Sequence, residues 1–438
     1  ARRRGNAGFP HGGKLFSTLW KKARTFFHAM EKTAKVFPLR GKIRKSFSTP
    51  WKTAAALALL GTAAAGAAEP ALERLAIWCE FMPYAAVQAE LPTLAKYECD
   101  LILHVERESF ADPAFAELLR AAERAGVAVD AWLLLPYEEH LYVGQASADA
   151  TRALARQAAD FFERENLTVR AFTFDCEPSP LLGRELYAAA QAKSLRRMAA
   201  TLRDQLDPER FRRDAAALDA LAAELRTRGY AVDGAANRAF LDAQARGNVA
   251  LEDALNAPVS GVGWDALSFI AYRYRASQEN YLALLNRYAT LARRLYGARA
   301  ALDVGLLGDY ADIPQNAERA ALFGAGAGFA AYLRGLRNAF ELEEAVAVVL
   351  GCGVRRVHLY ALDGAATSVA GTENWLRAAR RARPAPALAR WLPARALQCG
   401  ALGALTEKTF RWFTGGSEKS HGRIEFRKPA AGAGQRQS

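Results

Sequence analysis

The chain has 438 residues, of which 51% are hydrophobic and 24% charged, which is typical of a globular protein with one large domain or two ordinary ones. Its net charge of +13 lies at the ends: residues 1–52 hold 14 basic residues and one acid, and 380–438 hold 12 basic and 3 acidic residues. Residues 53–379 hold 33 basic and 42 acidic residues. An acidic body with basic ends argues against a DNA-binding core, so we expect no nucleic-acid partner.

An export signal is predicted ahead of the main body. The small and apolar run 54–68 follows four basic residues, Lys42, Arg44, Lys45 and Lys52. This order predicts a basic N-terminal extension and secretory signal over 1–68, cleaved near Ala67 or Ala68, and a secreted or periplasmic product. The run is too short and too rich in alanine for a comfortable bilayer span, so we expect no stable membrane span in the mature protein. The alternative is an uncleaved amphipathic anchor, because basic and aromatic residues alternate within 14–27.

Apolar runs alternate with amphipathic helical patterns after this leader. Helices are predicted over 85–97, 113–125, 148–165, 183–206, 210–228, 240–255, 278–296 and 374–383, with two more pieces within 315–350. The predicted strands lie at 74–81, 100–106, 127–135, within 169–180, and at 229–233, 266–274, 300–307 and 354–362, the fifth being the weakest.

This alternation predicts an α/β fold, a (β/α)8 TIM barrel over 69–383 with an insertion after strand 4. A basic C-terminal tail, 384–438, is expected to be partly disordered because its final 25 residues are rich in Gly, Ala and Gln.

The five cysteines indicate neither a zinc site nor a disulfide framework. Their number is odd and none forms a Cys-x-x-Cys pair, the positions being Cys79, Cys99, Cys176, Cys352 and Cys399. Buried free thiols are therefore expected, although an exported protein would permit a Cys79–Cys99 bridge. We expect no metal and no cofactor.

The fourth strand ends in two carboxylates, Asp175 and Glu177. Residues two apart in a strand share a face, so Thr173, Asp175 and Glu177 are predicted on one side and apolar residues on the other. The C-terminal ends of barrel strands carry the chemistry of this fold. A carboxylate beside another has a raised proton affinity, so Glu177 is predicted as general acid, with Asp175 holding its proton and orienting the attacking group. The structural alternative is an acidic loop satisfied by an arginine.

Further polar and aromatic residues lie at predicted strand ends. If the barrel closes, they converge on one site: Glu80, His104, Glu106, Trp132, Tyr272, Tyr274, Asp309, Tyr360 and Asp363. Acids, aromatic rings and a histidine around one cavity are typical of sugar recognition, which predicts a carbohydrate substrate. The alternatives are that His104 is a satisfied core histidine, that Trp132 is a packing residue and that Asp309 caps a turn.

The fourth strand resembles part of the signature of family 18 glycoside hydrolases, the chitinase-like barrels. Phe-Thr-Phe-Asp-Cys-Glu is similar to the end of Asp-x-x-Asp-x-Asp-x-Glu, with Arg170 and Thr173 at the first two acidic positions. The resemblance implies that Glu177 is the acid and that Asp175 positions the N-acetyl group of the substrate as nucleophile. It also implies that Tyr272 bonds that group, although Arg273 stands where an Asp often follows. Tyr360 is similar only in character to the family's strand-8 Trp.

Three functions follow from these patterns. The first is a secreted glycoside hydrolase with Glu177, Asp175 and Tyr272 as catalytic residues. The second is a non-catalytic barrel that binds sugar or a partner protein, favoured by the missing acids at Arg170 and Thr173. The third is metal-assisted hydrolysis, which lacks the usual histidine ligand spacing. The oligomeric state is left open.

Overall fold

The computed structural model describes residues 72–144, 146–192, 194–273, 276–308, 310, 313–315, 318 and 335–385. Eight parallel strands form a closed barrel in chain order, which confirms the predicted TIM barrel. The strands are β1 (Arg74–Cys79), β2 (Cys99–Val105), β3 (Val129–Leu133), β4 (Ala171–Cys176), β5 (Ala231–Asn237), β6 (Ala266–Tyr272), β7 (Ala300–Gly305) and β8 (Arg356–Tyr360).

Helices lie between the strands and cover the outside of the barrel. They are α1 (Tyr84–Lys96), α2 (Pro113–Ala125), α3 (Ala148–Arg164), α4 (Pro180–Gln191), α5 (Leu195–Asp204), α6 (Pro208–Thr227), α7 (Ala239–Gln244), α8 (Ala250–Ala254), α9 (Gln278–Tyr296), α10 (Ala339–Gly351), α11 (Leu362–Thr367) and α12 (Gly371–Arg381). Single 3₁₀ turns lie at Arg107–Ala111, Tyr137–Glu139 and Gly297–Arg299.

Strand β1 alternates between two cores, as the period of two in a strand requires. On β1, Leu75, Ile77 and Cys79 belong to the large core between barrel and helices. Ala76 and Trp78 belong to a separate cluster inside the barrel. Both faces of β1 are therefore buried, and the other strands are buried over most of their length, which explains why the strands are near-continuous apolar runs in the sequence.

Helix α2 has the bounds predicted from its termini. The Asp112 side chain accepts a hydrogen bond of 2.9 Å from the N–H of Ala114, and Pro113 occupies the first turn. Gly126 follows the last turn at φ 72°, a conformation that favours glycine. Helix α9 also matches its predicted bounds, 278–296.

Two predicted helices were wrong as single elements. The stretch 183–206 forms α4 and α5, because the Ser194 side chain accepts the N–H of Arg197 and starts a new helix. The stretch 240–255 forms α7 and α8, because Gly247 has φ 73° and the Asn248 side chain accepts the N–H of Ala250. In both stretches the apolar period of the sequence continues through the break, but a capping side chain starts a new helix there.

The fifth strand extends further than predicted, from Ala231 to Asn237 rather than over 229–233. Two large side chains pack closely against Gly234 in the middle of the strand. A Cβ on Gly234 would lie 2.8 Å from Cδ1 of Leu267 and 2.9 Å from Cδ2 of Trp264. Glycine is needed here for close approach, and its low strand propensity hid the strand in the sequence.

A buried ionic cluster closes the N-terminal end of the barrel. The Arg74 guanidinium contacts the carboxylates of Asp100, Asp130 and Asp233, which lie on β2, β3 and β5. Arg170 adds a second guanidinium on Asp130. Burial raises the pKa of both Asp130 and Asp233, and Arg74 opposes that rise. This cluster accounts for Arg170, which stands where the chitinase-like signature has an acid.

The described cysteines are free thiols, three of them buried, as expected. Cys79 pairs with Leu103 and Cys99 pairs with Leu75, so the two cysteines lie at opposite ends of β1 and β2. The permitted Cys79–Cys99 bridge does not form. Within the described ranges no helix is long and apolar enough to cross a membrane. The predicted signal, the tail from residue 386 and Cys399 lie outside the described residues.

Candidate functional site

The C-terminal ends of the eight strands form one ring, which we call the barrel mouth. On β4, Phe172, Phe174 and Cys176 pack into the outer core. The alternation therefore turns Thr173 and Asp175 toward the barrel interior, as predicted. Asp175 is 7% exposed, and Glu177, one residue beyond the strand, is half-buried. A more buried carboxylate thus precedes a more accessible one at the mouth.

The backbone of Asp175 is fixed from both sides. Its Cα pairs with Ala235 on β5, and its carbonyl oxygen accepts a hydrogen bond of 2.9 Å from the N–H of Val143. The loop between β3 and α3 is therefore attached to the strand end that carries the acids. The catalytic roles of Asp175 and Glu177 stay predictions.

A second carboxylate, Glu80, lies at the end of β1 and is 5% exposed. Its Oε2 atom accepts a hydrogen bond of 2.7 Å from the Tyr310 hydroxyl and another from the Tyr360 hydroxyl. The two hydroxyls lie 2.9 Å apart. Glu80 and Tyr360 were both predicted at the site, whereas Tyr310 was missed. The sequence favoured its neighbour Asp309, which lies outside the described residues, as does Tyr274.

Aromatic rings connect this carboxylate to β3 and β6. The ring of Tyr272 lies 4.6 Å from that of Tyr360 at an interplanar angle of 32°. Deeper in the barrel, Trp78 packs edge-on against Trp132 with ring centroids 5.0 Å apart. Tyr272 is half-buried, whereas Trp132 is 2% exposed. Trp132 therefore packs inside the barrel, the alternative left open by its sequence.

Asp363 holds the loop that carries Glu80. Its Oδ2 accepts the N–H of Glu80 at 3.0 Å and its Oδ1 accepts the N–H of Phe81 at 2.6 Å. Burial raises the pKa of Asp363, and these two N–H donors oppose the rise. Asp363 thus positions the end of β1, and a direct contact between Asp363 and substrate stays a prediction.

His104, on β2, lies beside Glu80 at the barrel mouth. Its Nδ1 is 3.1 Å from the Glu80 carbonyl oxygen, which only accepts, so Nδ1 carries a proton. Its Nε2 is 3.9 Å from Oε2 of Glu106. Its ring centroid lies 5.7 Å from that of Trp132. The predicted residues His104, Glu106 and Glu80 are therefore neighbours at the mouth.

Two adjacent cavities open at the β1 side of the barrel mouth. The first measures about 430 Å³ and is lined by polar and aromatic groups that include Glu80, Tyr84, His104, Glu106, Ser109 and Asp112. The second, of about 300 Å³, shares Phe81–Pro83 with it and reaches Ile313 and Asp363. Asp175 and Glu177 do not line either of these two cavities.

A polar network that the sequence did not predict lies beneath the mouth. The buried Asp303 accepts hydrogen bonds from Nε1 of Trp78 at 3.3 Å and from the Ser268 hydroxyl at 2.8 Å, and its Oδ1 is 3.0 Å from Nδ1 of His358. In the sequence, the only sign of this network is the occurrence of polar residues within otherwise apolar strands. The network satisfies a carboxylate inside the barrel and gives the mouth a fixed floor.

Arg273 has a structural role next to the predicted site. It is 5% exposed, and its guanidinium is 2.6 Å from Oε2 of Glu341 at the start of α10. The residue that departs from the chitinase-like pattern therefore attaches the end of β6 to a neighbouring helix. Among the residues that the structure describes, no group of three His, Cys, Asp or Glu side chains is arranged to hold a metal ion.

Comparisons with known proteins identify similar barrels. No family model matches the sequence, and no curated protein matches it significantly. The PgaB (BpsB) glycoside hydrolase domain from Bordetella bronchiseptica aligns at 12% identity over 72% of this chain and 99% of that one, with a TM-score of 0.41. A family GH18 chitinase catalytic domain from the fern Peteris ryukyuensis aligns at 12% identity over 70% and 98%, with a TM-score of 0.40.

An endo-beta-mannanase/endo-beta-glucanase from Prevotella bryantii also aligns, at 10% identity over 71% of this chain and 48% of that one, with a TM-score of 0.39. A D-allulose 3-epimerase from Methylomonas sp. aligns at 12% identity over 77% and 100%, with a TM-score of 0.33. Enzymes of different activity thus give comparable scores. Likeness at this level carries no argument about activity, so function is judged from the residues of the barrel mouth.

Proposed function

We propose that this protein is a carbohydrate-active barrel that cleaves glycosidic bonds, with Glu177 as general acid and Asp175 and Tyr272 assisting. The observation that carries the proposal is the geometry of β4, whose inner face presents buried Asp175, with half-buried Glu177 one residue beyond the end of the strand. An acid that protonates a leaving-group oxygen must reach substrate, whereas its partner works best shielded from water. The order of burial along β4 matches this division.

Other residues of the barrel mouth support a sugar ligand. Tyr272 and Tyr360 present two rings, tilted against each other, on the β6 and β8 side, and Glu80 and His104 add polar groups on the β1 and β2 side. Aromatic faces stack on pyranose rings, and carboxylates bond hydroxyls. A secreted or periplasmic protein that meets extracellular glycans agrees with the predicted signal.

A second candidate function is sugar binding without turnover. Its specific support is Thr173, a hydroxyl where the chitinase-like signature has an acid, together with Arg170, whose guanidinium contacts Asp130 at the far end of the barrel. A barrel with this substitution keeps the cleft and has one carboxylate fewer for catalysis.

Incubation with β-1,4-linked tetraoses of N-acetylglucosamine, glucosamine, glucose and mannose, followed by mass spectrometry of the products, separates the two functions. Hydrolysis is expected for at least one tetraose and is expected to be lost in Glu177→Gln. Glu117→Gln, an exposed carboxylate on α2, is the matched control and is expected to retain full activity. Binding without products favours the second function, and undiminished hydrolysis by folded Glu177→Gln removes Glu177 from its proposed role.

A further inference from the structure

Three polar side chains lie side by side on the inner wall, one level below Asp175. His104 on β2 pairs with Trp132 on β3, and Trp132 pairs with Thr173 on β4. Alternation along the strands turns all three toward the interior. We call His104, Trp132 and Thr173 the polar row.

Each member of the polar row has a buried polar atom without a hydrogen-bond partner in the part of the chain that the structure describes. These atoms are Nε2 of His104, Nε1 of Trp132 and Oγ1 of Thr173. Trp132 is 2% exposed and Thr173 is 3% exposed. Buried polar atoms are nearly always paired, because leaving one unpaired is costly. Three neighbouring unpaired atoms indicate a polar occupant.

The chemistry of the row restricts what that occupant can be. Nδ1 of His104 donates to the Glu80 carbonyl oxygen, and Nε2 either accepts a hydrogen bond or, beside Oε2 of Glu106 at 3.9 Å, donates one. The Trp132 indole only donates, and the Thr173 hydroxyl does both. An ammonium group cannot accept from the indole, so it is excluded. A hydroxyl group both donates and accepts, so it satisfies the indole, the Thr173 hydroxyl and either form of Nε2.

The row also has a connection to the cavities of the mouth. His104 lines the cavity of about 430 Å³ together with Glu80 and Glu106. The ring centroid of His104 lies 5.7 Å from that of Trp132. His104 is therefore the member of the row that connects it to this cavity, whereas Trp132 and Thr173 lie behind His104 and do not line the cavity.

We propose that the polar row binds the hydroxyl groups of a sugar ring and that Thr173 is a specificity-determining residue of this site. The inference rests on the proposed function and deepens it by assigning a hydroxyl-recognising subsite on β2, β3 and β4. Ordered water offers the same hydrogen-bonding chemistry, and the experiment separates the two sources.

The test compares Thr173→Val with Thr151→Val in a Glu177→Gln background, which separates binding from turnover. Thr151 on α3 is the matched control, since it is 1% exposed and its Oγ1 is also unpaired in the described structure. Calorimetric titration with the four tetraoses named above is expected to show binding of at least one by the Glu177→Gln protein. Thr173→Val is expected to weaken that binding about five- to tenfold, the effect of one lost hydrogen bond. Thr151→Val is expected to leave it unchanged.

Thermal unfolding supplies the second measurement. Because Oγ1 of Thr173 is unpaired in the free protein, Thr173→Val is expected to keep the melting temperature of its background or raise it. A melting temperature several degrees lower, with unchanged affinity, would assign the row to structural water and overturn the proposal. Unchanged affinity at unchanged stability, or no binding of any tetraose, overturns it as well. Hydrolysis that survives Glu177→Gln would overturn the proposed catalytic role while leaving the subsite standing.

Discussion

Tyr310 donates a hydrogen bond of 2.7 Å to Oε2 of Glu80, across 230 residues of sequence, and so joins the segment after β7 to the end of β1. Tyr310→Phe removes this donor from a buried carboxylate and is expected to destabilise the protein by about 1–3 kcal/mol. Urea unfolding measures the loss.

The control for Tyr310→Phe is Tyr97→Phe, which removes a hydroxyl that donates to the exposed carboxylate of Glu373 at 3.1 Å. A double-mutant cycle of Tyr310→Phe with Glu80→Gln is expected to show coupling above 0.5 kcal/mol in magnitude, roughly the range for residues in direct contact. Additive losses would show that the two residues act independently.

Arg74 is expected to stabilise the barrel without affecting activity. Arg74→Met leaves three carboxylates at the N-terminal end without this guanidinium, and the loss of one partner from a buried ion cluster costs about 3–5 kcal/mol. Arg156→Met removes an exposed pair with Glu224 and is expected to cost about 1 kcal/mol or less. Specific activity per folded molecule should be equal in both variants, because barrel chemistry lies at the opposite end. A selective loss of activity in Arg74→Met would contradict this division.

The Glu341 carboxylate is expected to make the stability of the folded protein sensitive to acid. Burial acts to raise its pKa, but hydrogen bonds from Arg337 and the Arg273 guanidinium outweigh burial, so the pKa of Glu341 is lowered from 4.5. A lowered carboxyl pKa contributes stability above pH 4.5, which is lost as pH falls through the folded-state pKa. Glu341→Gln is expected to cost about 2–4 kcal/mol at pH 7, because Arg273 stays buried without its carboxylate.

Urea unfolding at several pH values measures this effect. The stability of Glu341→Gln should fall less steeply than that of the wild type below pH 4.5. Glu343→Gln on the same helix, which loses a contact with the largely exposed Arg381, is the control and should follow the wild-type curve within about 1 kcal/mol. If the free energies of unfolding of the wild type and Glu341→Gln fell in parallel below pH 4.5, the lowered pKa of Glu341 would be refuted.

The barrel could be predicted from the sequence because its determinants are local. Each strand is a buried apolar run, and Asp112, Pro113 and Gly126 mark the ends of α2 in the chain itself. The outward orientation of Phe172 and Phe174 followed from the period of a strand. Gly234 hid part of β5, since the reason for glycine there is the Trp264 side chain, which approaches from another segment.

The candidate site was only partly predictable. Glu80 and Tyr360 could be assigned to one ring, because all parallel strands of a barrel end at the same face. Their hydrogen bond, between residues 280 apart, depends on the closure of β8 onto β1. The partners of Asp303 likewise come from β1, β6 and β8, so no window of sequence contains them.

The pair on β4 should act as one catalytic unit if the proposed function is correct. Glu177→Gln and Asp175→Asn are each expected to lower kcat at least about 100-fold, since a positioned acid contributes roughly 10²–10⁴. Affinity for the hydrolysed tetraose should change by less than about threefold, because the reaction step rather than ground-state binding loses an interaction. The double variant should be no slower than the slower single variant, as expected for residues that function together.

Steady-state kinetics of the three variants, with circular dichroism to establish folding, test this prediction. Glu117→Gln on α2 again serves as the control, since its exposed side chain lies outside the barrel. Multiplicative losses in the double variant would mean that Asp175 and Glu177 act on separate steps. In that case the buried position of Asp175 below half-buried Glu177 would reflect packing of the strand end rather than a shared proton.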